Sequence, residues 1–270
     1  MSLTRSQVAG LLADHGLTPS RALGQHFLVD PNTARRIVRL AGVTAGDRVV
    51  EIGPGLGSLT LALLDAGAEV VAVERDARIA DVLRQVTGSR CEVVVEDALK
   101  ADLASLSAPG PTAVVANLPY NVAVPIVVRL LETASAATRM LVMVQAEVAE
   151  RLAAAPGSRA YGAVSVKVAY HASARLAGRV PRAVFYPEPN VDSALVEMVR
   201  REAVAVDPSV ATEAQVFAVV RAAFAQRRKM LRRSLDGLVD AAAFERAGVD
   251  PTNRPEDLDV RAFGRLAAAR

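Results

Sequence analysis

The spacing of apolar and polar positions changes character several times along this chain. Near the N-terminus, Val8, Leu11 and Leu12 share one face of a short amphipathic helix within residues 1–20. The segment from Arg21 to Leu28 has no clear period. Asp30-Pro31 then reads as an N-cap and first-turn proline, and a helix through Ile37, Val38 and Ala41 is predicted. From Arg48 onward the pattern becomes one of short apolar runs. Arg48–Ile52, Glu69–Glu74, Glu92–Glu96 and Thr112–Asn117 read as strands that recur every twenty to twenty-three residues. Helices are predicted between them over Ser58–Leu64 and Ala77–Val86. Another follows over Pro125–Glu132, and a fifth strand over Met140–Gln145. This is the βαβ rhythm of a parallel sheet. Each strand ends in a polar or glycine-rich residue at its carboxyl end, where open α/β sheets bind ligands.

Beyond the fifth strand the pattern changes. Tyr161–His171 and Asp192–Val199 alternate, on either side of the Pro-rich Pro181–Pro189. Their period predicts two strands paired antiparallel at the sheet's far side. From about residue 207 the chain reads as helices over Glu213–Arg228, Lys229–Leu238, Ala241–Ala247 and Val260–Ala269, punctuated by Pro208, Pro251 and Pro255. A boundary near residues 202–208 follows, with an α/β domain over 1–204 and a small all-helical domain over 205–270.

Composition narrows the class without naming a function. The 270 residues are 51% hydrophobic and 23% charged, which is globular and long enough for a substantial core. A net charge of +3 does not by itself diagnose nucleic-acid binding; the placement of the charge matters more. Lysine occurs only at Lys100, Lys167 and Lys229, so the basic charge is nearly all arginine, a bias shared with Ala and Val. The one cysteine, Cys91, permits no disulfide within the chain and fits a reducing cytosol. Cys91, His15, His26 and His171 make no ligand spacing, so no metal is expected. Met1-Ser-Leu-Thr-Arg5 lacks an apolar signal core. The uncharged stretch from Leu103 to Val128 is interrupted by prolines and asparagines, which argues against a membrane helix. A cytoplasmic protein is expected, and nothing in the sequence demands more than a monomer.

Two motifs carry the chemistry. Glu51-Ile-Gly-Pro-Gly-Leu-Gly57 lies between a strand and a helix, where glycine lets the backbone turn and a ligand approach closely. The dinucleotide fingerprint is G-x-G-x-x-G; here the last glycine comes one residue early, at Gly57. With Gly53, Gly55 and the acidic Glu51, this favours S-adenosyl-L-methionine over a pyrophosphate ligand. Glu74 ends the next strand and could accept both ribose hydroxyl protons, a device that nicotinamide enzymes share. Asp97 could accept from the donor's adenine amine, or be a surface turn residue. Gln25, His26 and Leu28 could close over the methionine part, with His26 more readily read as structural.

Asn117-Leu118-Pro119-Tyr120 suits methylation of an exocyclic aryl amine. Such an amine is a poor nucleophile because its lone pair is delocalised into the ring. A catalyst can accept hydrogen bonds from its N–H groups, so that the nitrogen pyramidalises toward the methyl carbon. The Asn117 side-chain carbonyl and the Leu118 backbone carbonyl are suitable acceptors. Pro119 stiffens the turn, and Tyr120 offers a flat ring for stacking. Phe185, in the run Phe185-Tyr-Pro-Glu-Pro-Asn190, reads equally as the second face of a splayed adenine or as a core plug. Farther on, Arg221, Arg227, Arg228, Lys229, Arg232 and Arg233 fall within thirteen residues that contain no acid. Without an acidic partner at helical spacing, the stripe reads as a phosphate-binding surface.

Gln25-His-Phe-Leu28, Glu51–Gly57, Asn117–Tyr120, Phe185-Tyr-Pro-Glu-Pro-Asn-Val-Asp-Ser193 and Gln226-Arg-Arg-Lys-Met-Leu-Arg232 together resemble the KsgA/RsmA family of ribosomal RNA adenine dimethyltransferases. The resemblance runs from about residue 20 to the C-terminus. It implies a Rossmann-like, S-adenosyl-L-methionine-dependent methyltransferase sheet with a small helical C-terminal domain. It implies two methyl transfers to each of two neighbouring adenosines near the 3′ end of small-subunit (16S) ribosomal RNA, during subunit biogenesis. The donor would lie against His26, Leu28, Gly53, Glu74, Asp97 and Asn117, and the adenine against Asn117, Leu118, Tyr120 and Phe185. His26 departs from the asparagine of many members; it can still donate to the donor's carboxylate, with its charge state now entering the binding. Arg75, after Glu74, has no reading. The rival readings are an erythromycin-resistance-type enzyme acting on large-subunit RNA, an assembly factor doing little chemistry, and, more distantly, a dehydrogenase.

Overall fold

A computed structural model of the chain describes residues 2–20 and 24–270. Arg21, Ala22 and Leu23 of the aperiodic segment lie outside the described residues. Helix α1 (Arg5–Asp14) is followed by strand β1 (Phe27–Leu28) and helix α2 (Pro31–Ala41). The start of α2 follows from its sequence: the Asp30 carboxylate accepts from the Asn32 and Thr33 N–H groups, and Pro31 occupies the first turn. Gly42, at φ 63°, ends it. The chain then alternates through β2 (Arg48–Ile52), α3 (Ser58–Asp65), β3 (Glu69–Glu74), α4 (Ala77–Thr87), β4 (Cys91–Val95), α5 (Leu103–Ser107), β5 (Thr112–Asn117), α6 (Ala123–Thr133) and β6 (Ala137–Gln145). Next come α7 (Ala146–Leu152), α8 (Ala163–His171), β7 (Ala172–Val180), β8 (Phe185–Tyr186) and β9 (Ser193–Arg200). Helices α9 (Glu213–Ala225), α10 (Leu231–Ser234), α11 (Ala241–Ala247) and α12 (Val260–Ala269) close the chain.

Seven strands form one sheet in the order β4-β3-β2-β5-β6-β9-β7. β4 through β6 are mutually parallel, and β9 runs antiparallel to β6, with Ser193 opposite Gln145 and Val199 opposite Arg139. Strand order reverses between β2 and β5, which makes a crevice outside their carboxyl ends. The parallel strands are apolar on both sides and are covered accordingly. Val49, Val70, Val115, Leu141 and Met143 pack with Ile37, Leu59 and Leu63. A second cluster joins Leu56, Leu61, Ile79 and Val82 to Val8, Leu12 and Phe27. A smaller antiparallel ladder pairs β1 with β8, Phe27 opposite Tyr186 and Leu28 opposite Phe185.

The chain separates into two compact units, Met1–Ala149 with Arg175–Val199, and Glu150–Ala174 with Arg200–Arg270. The excursion over 150–174 thus belongs to the C-terminal unit and not to a domain over 1–204. Its packing explains this: Tyr161, Val166 and Tyr170 share a core with Val216, Phe217, Val220, Leu231 and Phe263. The strand predicted over Tyr161–His171 is a helix, α8. The Gly162 N–H donates to Ser165 Oγ at 3.0 Å, and that hydroxyl donates to the Arg151 carbonyl at 2.6 Å, which starts the helix. Val166 and Tyr170, four residues apart, then face the same core. A short helix buried on most sides carries no readable period, so alternating valines mimic a strand. The antiparallel partner of β9 is β6, and the edge strand is β7. The helix predicted over Lys229–Leu238 shrinks to the single turn Leu231–Ser234, because residues 226–230 form turns.

Candidate active site

The crevice at the carboxyl ends of β2, β3, β4 and β5 is a cavity of about 410 Å³. Gly53, Glu74, Asp97 and Asn117 all lie at or just beyond those strand ends and line it, together with Gln25, His26, Leu28, Glu51, Gly55 and Tyr120. The loop after β2 needs its glycines. Gly53, Gly55 and Gly57 have φ of 70°, 56° and 96°. A Cβ on Gly55 would stand 2.8 Å from the Phe27 ring, and one on Gly53 would stand 3.3 Å from Pro119 Cδ. The glycine loop and the Asn-Leu-Pro-Tyr turn therefore touch.

Acidic groups dominate the donor side. Glu74 is 9% exposed, and its two oxygens accept N–H groups from Asp76 at 3.0 Å and Gly55 at 3.3 Å. Burial raises its pKa above the ordinary carboxylate value, with those amides opposing. Glu51 lies beneath the loop, 1% exposed, and its Oε2 has no hydrogen-bond partner. Burial pushes it up to about 8; the Thr60 hydroxyl opposes and Glu74 reinforces. Asp97 Oδ1 accepts from the Leu99 N–H at 3.0 Å, while Oδ2 lies 3.8 Å from the Arg75 guanidinium. That pairing accounts for Arg75, which the sequence left without a role. Glu96 and Asp76 also line the cavity. Such an acidic wall suits a ligand carrying positive charge and is unsuited to a pyrophosphate.

The acceptor side is built on Asn117 and Tyr120. Asn117 Nδ2 donates to the His26 carbonyl at 3.2 Å, which turns Oδ1 the other way. Among the described residues no hydrogen bond is made to Asn117 Oδ1 or to the Leu118 carbonyl oxygen. The Leu118 N–H is anchored to the Met143 carbonyl at 3.1 Å, and its side chain is buried. The His26 ring stacks on Tyr120 with centroids 5.4 Å apart. His26 Nδ1 donates to the Pro187 carbonyl at 2.7 Å. Tyr120 Oη lies 2.6 Å from Ser193 Oγ. Burial raises the Tyr120 pKa, so the group stays a phenol. Gln25 Oε1 accepts from the Ser20 N–H at 2.7 Å, and the Leu28 carbonyl accepts from Ser58 Oγ at 2.5 Å.

Phe185 does not join the site. Its ring is 0% exposed in the core with Leu28, Ile37 and Leu195, and it does not line the cavity. The core-plug alternative is the observed one, because pairing β8 with β1 turns alternate residues inward. What faces Tyr120 is His26, a residue read as structural. Phe185→Ala is expected to cost about 3–5 kcal/mol of stability, the scale of an emptied aromatic site. Phe185→Leu should fold and keep wild-type turnover in a methyl-transfer assay; a folded Phe185→Leu protein without turnover would return the ring to the base-binding role. Ser193 and Pro187 were visible only as members of the Pro-rich run, and no local signal gave them partners.

In the C-terminal unit, Arg221, Arg228, Lys229, Arg232 and Arg233 are exposed. Their side chains make no hydrogen bond or ion pair among the described residues. Arg227 differs from the reading of a free cation: its Nε binds Glu256 at 2.8 Å and its guanidinium donates to the Arg159 carbonyl at 2.6 Å. Among the described residues no helix is long and apolar enough to cross a membrane, and no group of three or more His, Cys, Asp and Glu could hold a metal ion. Burial, with Glu51 adding, pushes the Cys91 thiol up to about 12.

A cationic cosubstrate beside open carbonyl acceptors, at the switch point of a mostly parallel sheet with one antiparallel strand, defines an S-adenosyl-L-methionine-dependent methyltransferase. A family profile described as ribosomal RNA adenine dimethylase matches residues 17–268. A ribosomal RNA small subunit methyltransferase A of Thermobifida fusca is 51% identical, with 99% of this chain and 96% of the relative covered. A protein of the same name from Kineococcus radiotolerans is 52% identical over 96% of this chain and 89% of the relative. Among solved structures, a dimethyladenosine transferase from Plasmodium falciparum shares the fold, with a TM-score of 0.76 at 23% identity, covering 89% of this chain and 96% of that one. The 23S rRNA methyltransferase ErmE gives a TM-score of 0.68 at 27% identity, covering 90% and 98%. The chain belongs to the ribosomal RNA adenine dimethylase family.

Proposed function

We propose that this enzyme transfers methyl groups to the N6 amines of two adjacent adenosines near the 3′ end of 16S ribosomal RNA, two to each, during small-subunit biogenesis. The names of relatives at about half identity over nearly the whole chain support the small subunit as substrate. The observation that carries the chemistry is Asn117, whose amide donor is committed to the His26 carbonyl while its oxygen is left open beside the cavity.

S-adenosyl-L-methionine, when bound, supplies a methyl group activated by a sulfonium. Glu74 would hold its ribose, Asp97 its adenine amine, and Gly53 and Gly55 would let the backbone approach. Glu51 adds negative potential beneath the loop, with Gln25, His26, Leu28 and Asn117 along the methionine side. Asn117 Oδ1 and the Leu118 carbonyl accept the two N6–H bonds of the target adenine and draw its lone pair out of conjugation with the ring. Tyr120 supports the base edge of the site with its ring. A neutral phenol and two carbonyls leave no strong base there, so positioning and electrostatics carry the rate. The surplus proton of the methylated amine leaves to solvent. Once one methyl is on, a single N–H remains, and the second transfer relies more heavily on the aromatic contact. The exposed cations of the C-terminal unit would hold RNA phosphates. The enzyme works on ribosomal precursors in the cytoplasm, as a monomer.

The test is methyl transfer from labelled donor to unmodified small and large subunits, with nucleoside mass analysis. N6,N6-dimethyladenosine in small-subunit RNA alone is expected. Label in large-subunit RNA would place the chain functionally beside ErmE; no label in either subunit, with donor binding intact, would favour a non-catalytic assembly role. Glu74→Ala should weaken donor binding about tenfold or more by calorimetry, the scale of lost hydrogen bonds to a charged group. Unchanged affinity would remove Glu74 from the ribose.

A further inference from the structure

We propose that Ser193 is a positioning residue for methyl transfer, acting through the Tyr120 hydroxyl; this rests on the reading of Tyr120 as the surface against which the adenine lies. Tyr120 stands on an irregular turn past the end of β5, where no ladder holds its side chain. Among the described residues its hydroxyl has one hydrogen-bond partner, Ser193 Oγ at 2.6 Å. Ser193 is 0% exposed and opens β9, in register with Gln145 of β6. The residue before it is pinned as well. The Asp192 carbonyl accepts from the Ala146 N–H at 3.0 Å, and Asp192 Oδ1 accepts from the Arg182 N–H at 3.0 Å. Ser193 is therefore a rigid post, and Tyr120 is the mobile group it fixes.

The same segment holds the second ring. The Pro187 carbonyl takes the His26 Nδ1 proton at 2.7 Å, and His26 lies on Tyr120 at 5.4 Å. Both rings of the acceptor face thus hang from the run Pro187–Ser193, one through a backbone oxygen and one through a hydroxyl. No adenine fits between rings already in contact, so the base must use the open face or edge of Tyr120. The ring's rotation then sets the angle at which N6 meets Asn117 Oδ1. Losing the Ser193 hydroxyl frees that rotation without touching the donor cavity, whose lining does not include Ser193. The second transfer should suffer most. N6-methyladenosine offers one N–H to the two carbonyl acceptors and depends more on the ring for its placement.

The experiment compares Ser193→Ala, Ser193→Thr, Tyr120→Phe, Tyr120→Ala and the Ser193→Ala/Tyr120→Phe double variant on unmodified small subunits. Ser193→Ala is expected to lower kcat about five- to tenfold, the scale of one hydrogen bond, with calorimetric donor affinity unchanged. The ratio of monomethylated to dimethylated adenosine should rise. Tyr120→Phe should match it, the double variant should lose nothing further, and Ser193→Thr should recover most of the rate. A multiplicative loss in the double variant would overturn the proposal, as would wild-type kcat and product ratio in Ser193→Ala. If Ser193→Ala does not fold, Tyr120→Phe removes the same hydrogen bond from the accessible side and carries the test alone. Wild-type turnover in Tyr120→Ala would instead sink the reading of Tyr120 itself. An impaired Tyr120→Ala beside normal Ser193→Ala and Tyr120→Phe would sink only the role of Ser193.

Discussion

Asn117→Ala is expected to lower the single-turnover rate of methyl transfer by about 10²–10³-fold, the scale set by removing one preorganised transition-state acceptor. Donor affinity should change far less, because Glu74, Asp97 and the glycine loop remain. Two features of the residue produce this. Its Nδ2 is spent on the His26 carbonyl at 3.2 Å, so the side chain cannot rotate its oxygen away. Its oxygen accepts nothing from the described residues, so it meets the adenine amine already desolvated and aimed. Asn117→Asp separates the two features. It keeps an acceptor but loses the donor, and a carboxylate facing the His26 carbonyl would be repelled. It should therefore also be slow, although its oxygen carries more charge. An Asn117→Asp enzyme near wild-type speed would mean that acceptor strength, and not orientation, controls the step. Near wild-type speed in Asn117→Ala would move the amine to the Leu118 carbonyl alone.

The catalytic half of the molecule was largely legible in its sequence because local and global signals agree there. Strands β2, β3 and β5 fall where their apolar runs placed them, and Asp30-Pro31 starts α2 as its chemistry dictates. The residues that meet a ligand sit at strand ends, and strand ends are readable from pattern. What failed was decided by tertiary packing. Tyr161–His171 alternates like a strand, yet Val166 and Tyr170 fold against a core supplied by residues from 206 onward. Phe185 lies in an aromatic, proline-rich run, and only its pairing with Leu28, nearly 160 residues earlier, shows that it points inward. Ser193 and Pro187 acquire partners in the same way, from Tyr120 and His26 across long stretches of chain. Arg227 was counted as free because the acid that binds it, Glu256, lies outside any helical spacing.

That last distinction separates two kinds of arginine within one motif. Reversing Arg228, Lys229, Arg232 and Arg233 to Glu together should weaken binding to the small subunit on the order of a hundredfold or more, through lost counterion release. All four are exposed and unpaired among the described residues, so no folded contact is broken. Donor affinity and thermal midpoint should therefore stay near wild type. The slope of log affinity against log salt should flatten by about one for each phosphate contact removed. Arg227→Glu should behave differently despite carrying the same charge change. It places a carboxylate against Glu256 Oε2, where Nε now sits at 2.8 Å, and removes the donor to the Arg159 carbonyl. Its effect should be a lowered thermal midpoint, with a salt slope close to wild type once the folded fraction is taken into account. An unaltered salt slope in the fourfold variant would remove RNA phosphates from this surface. A flattened slope in a stable Arg227→Glu protein would show that its ion pair opens to meet RNA, and would return Arg227 to the binding surface.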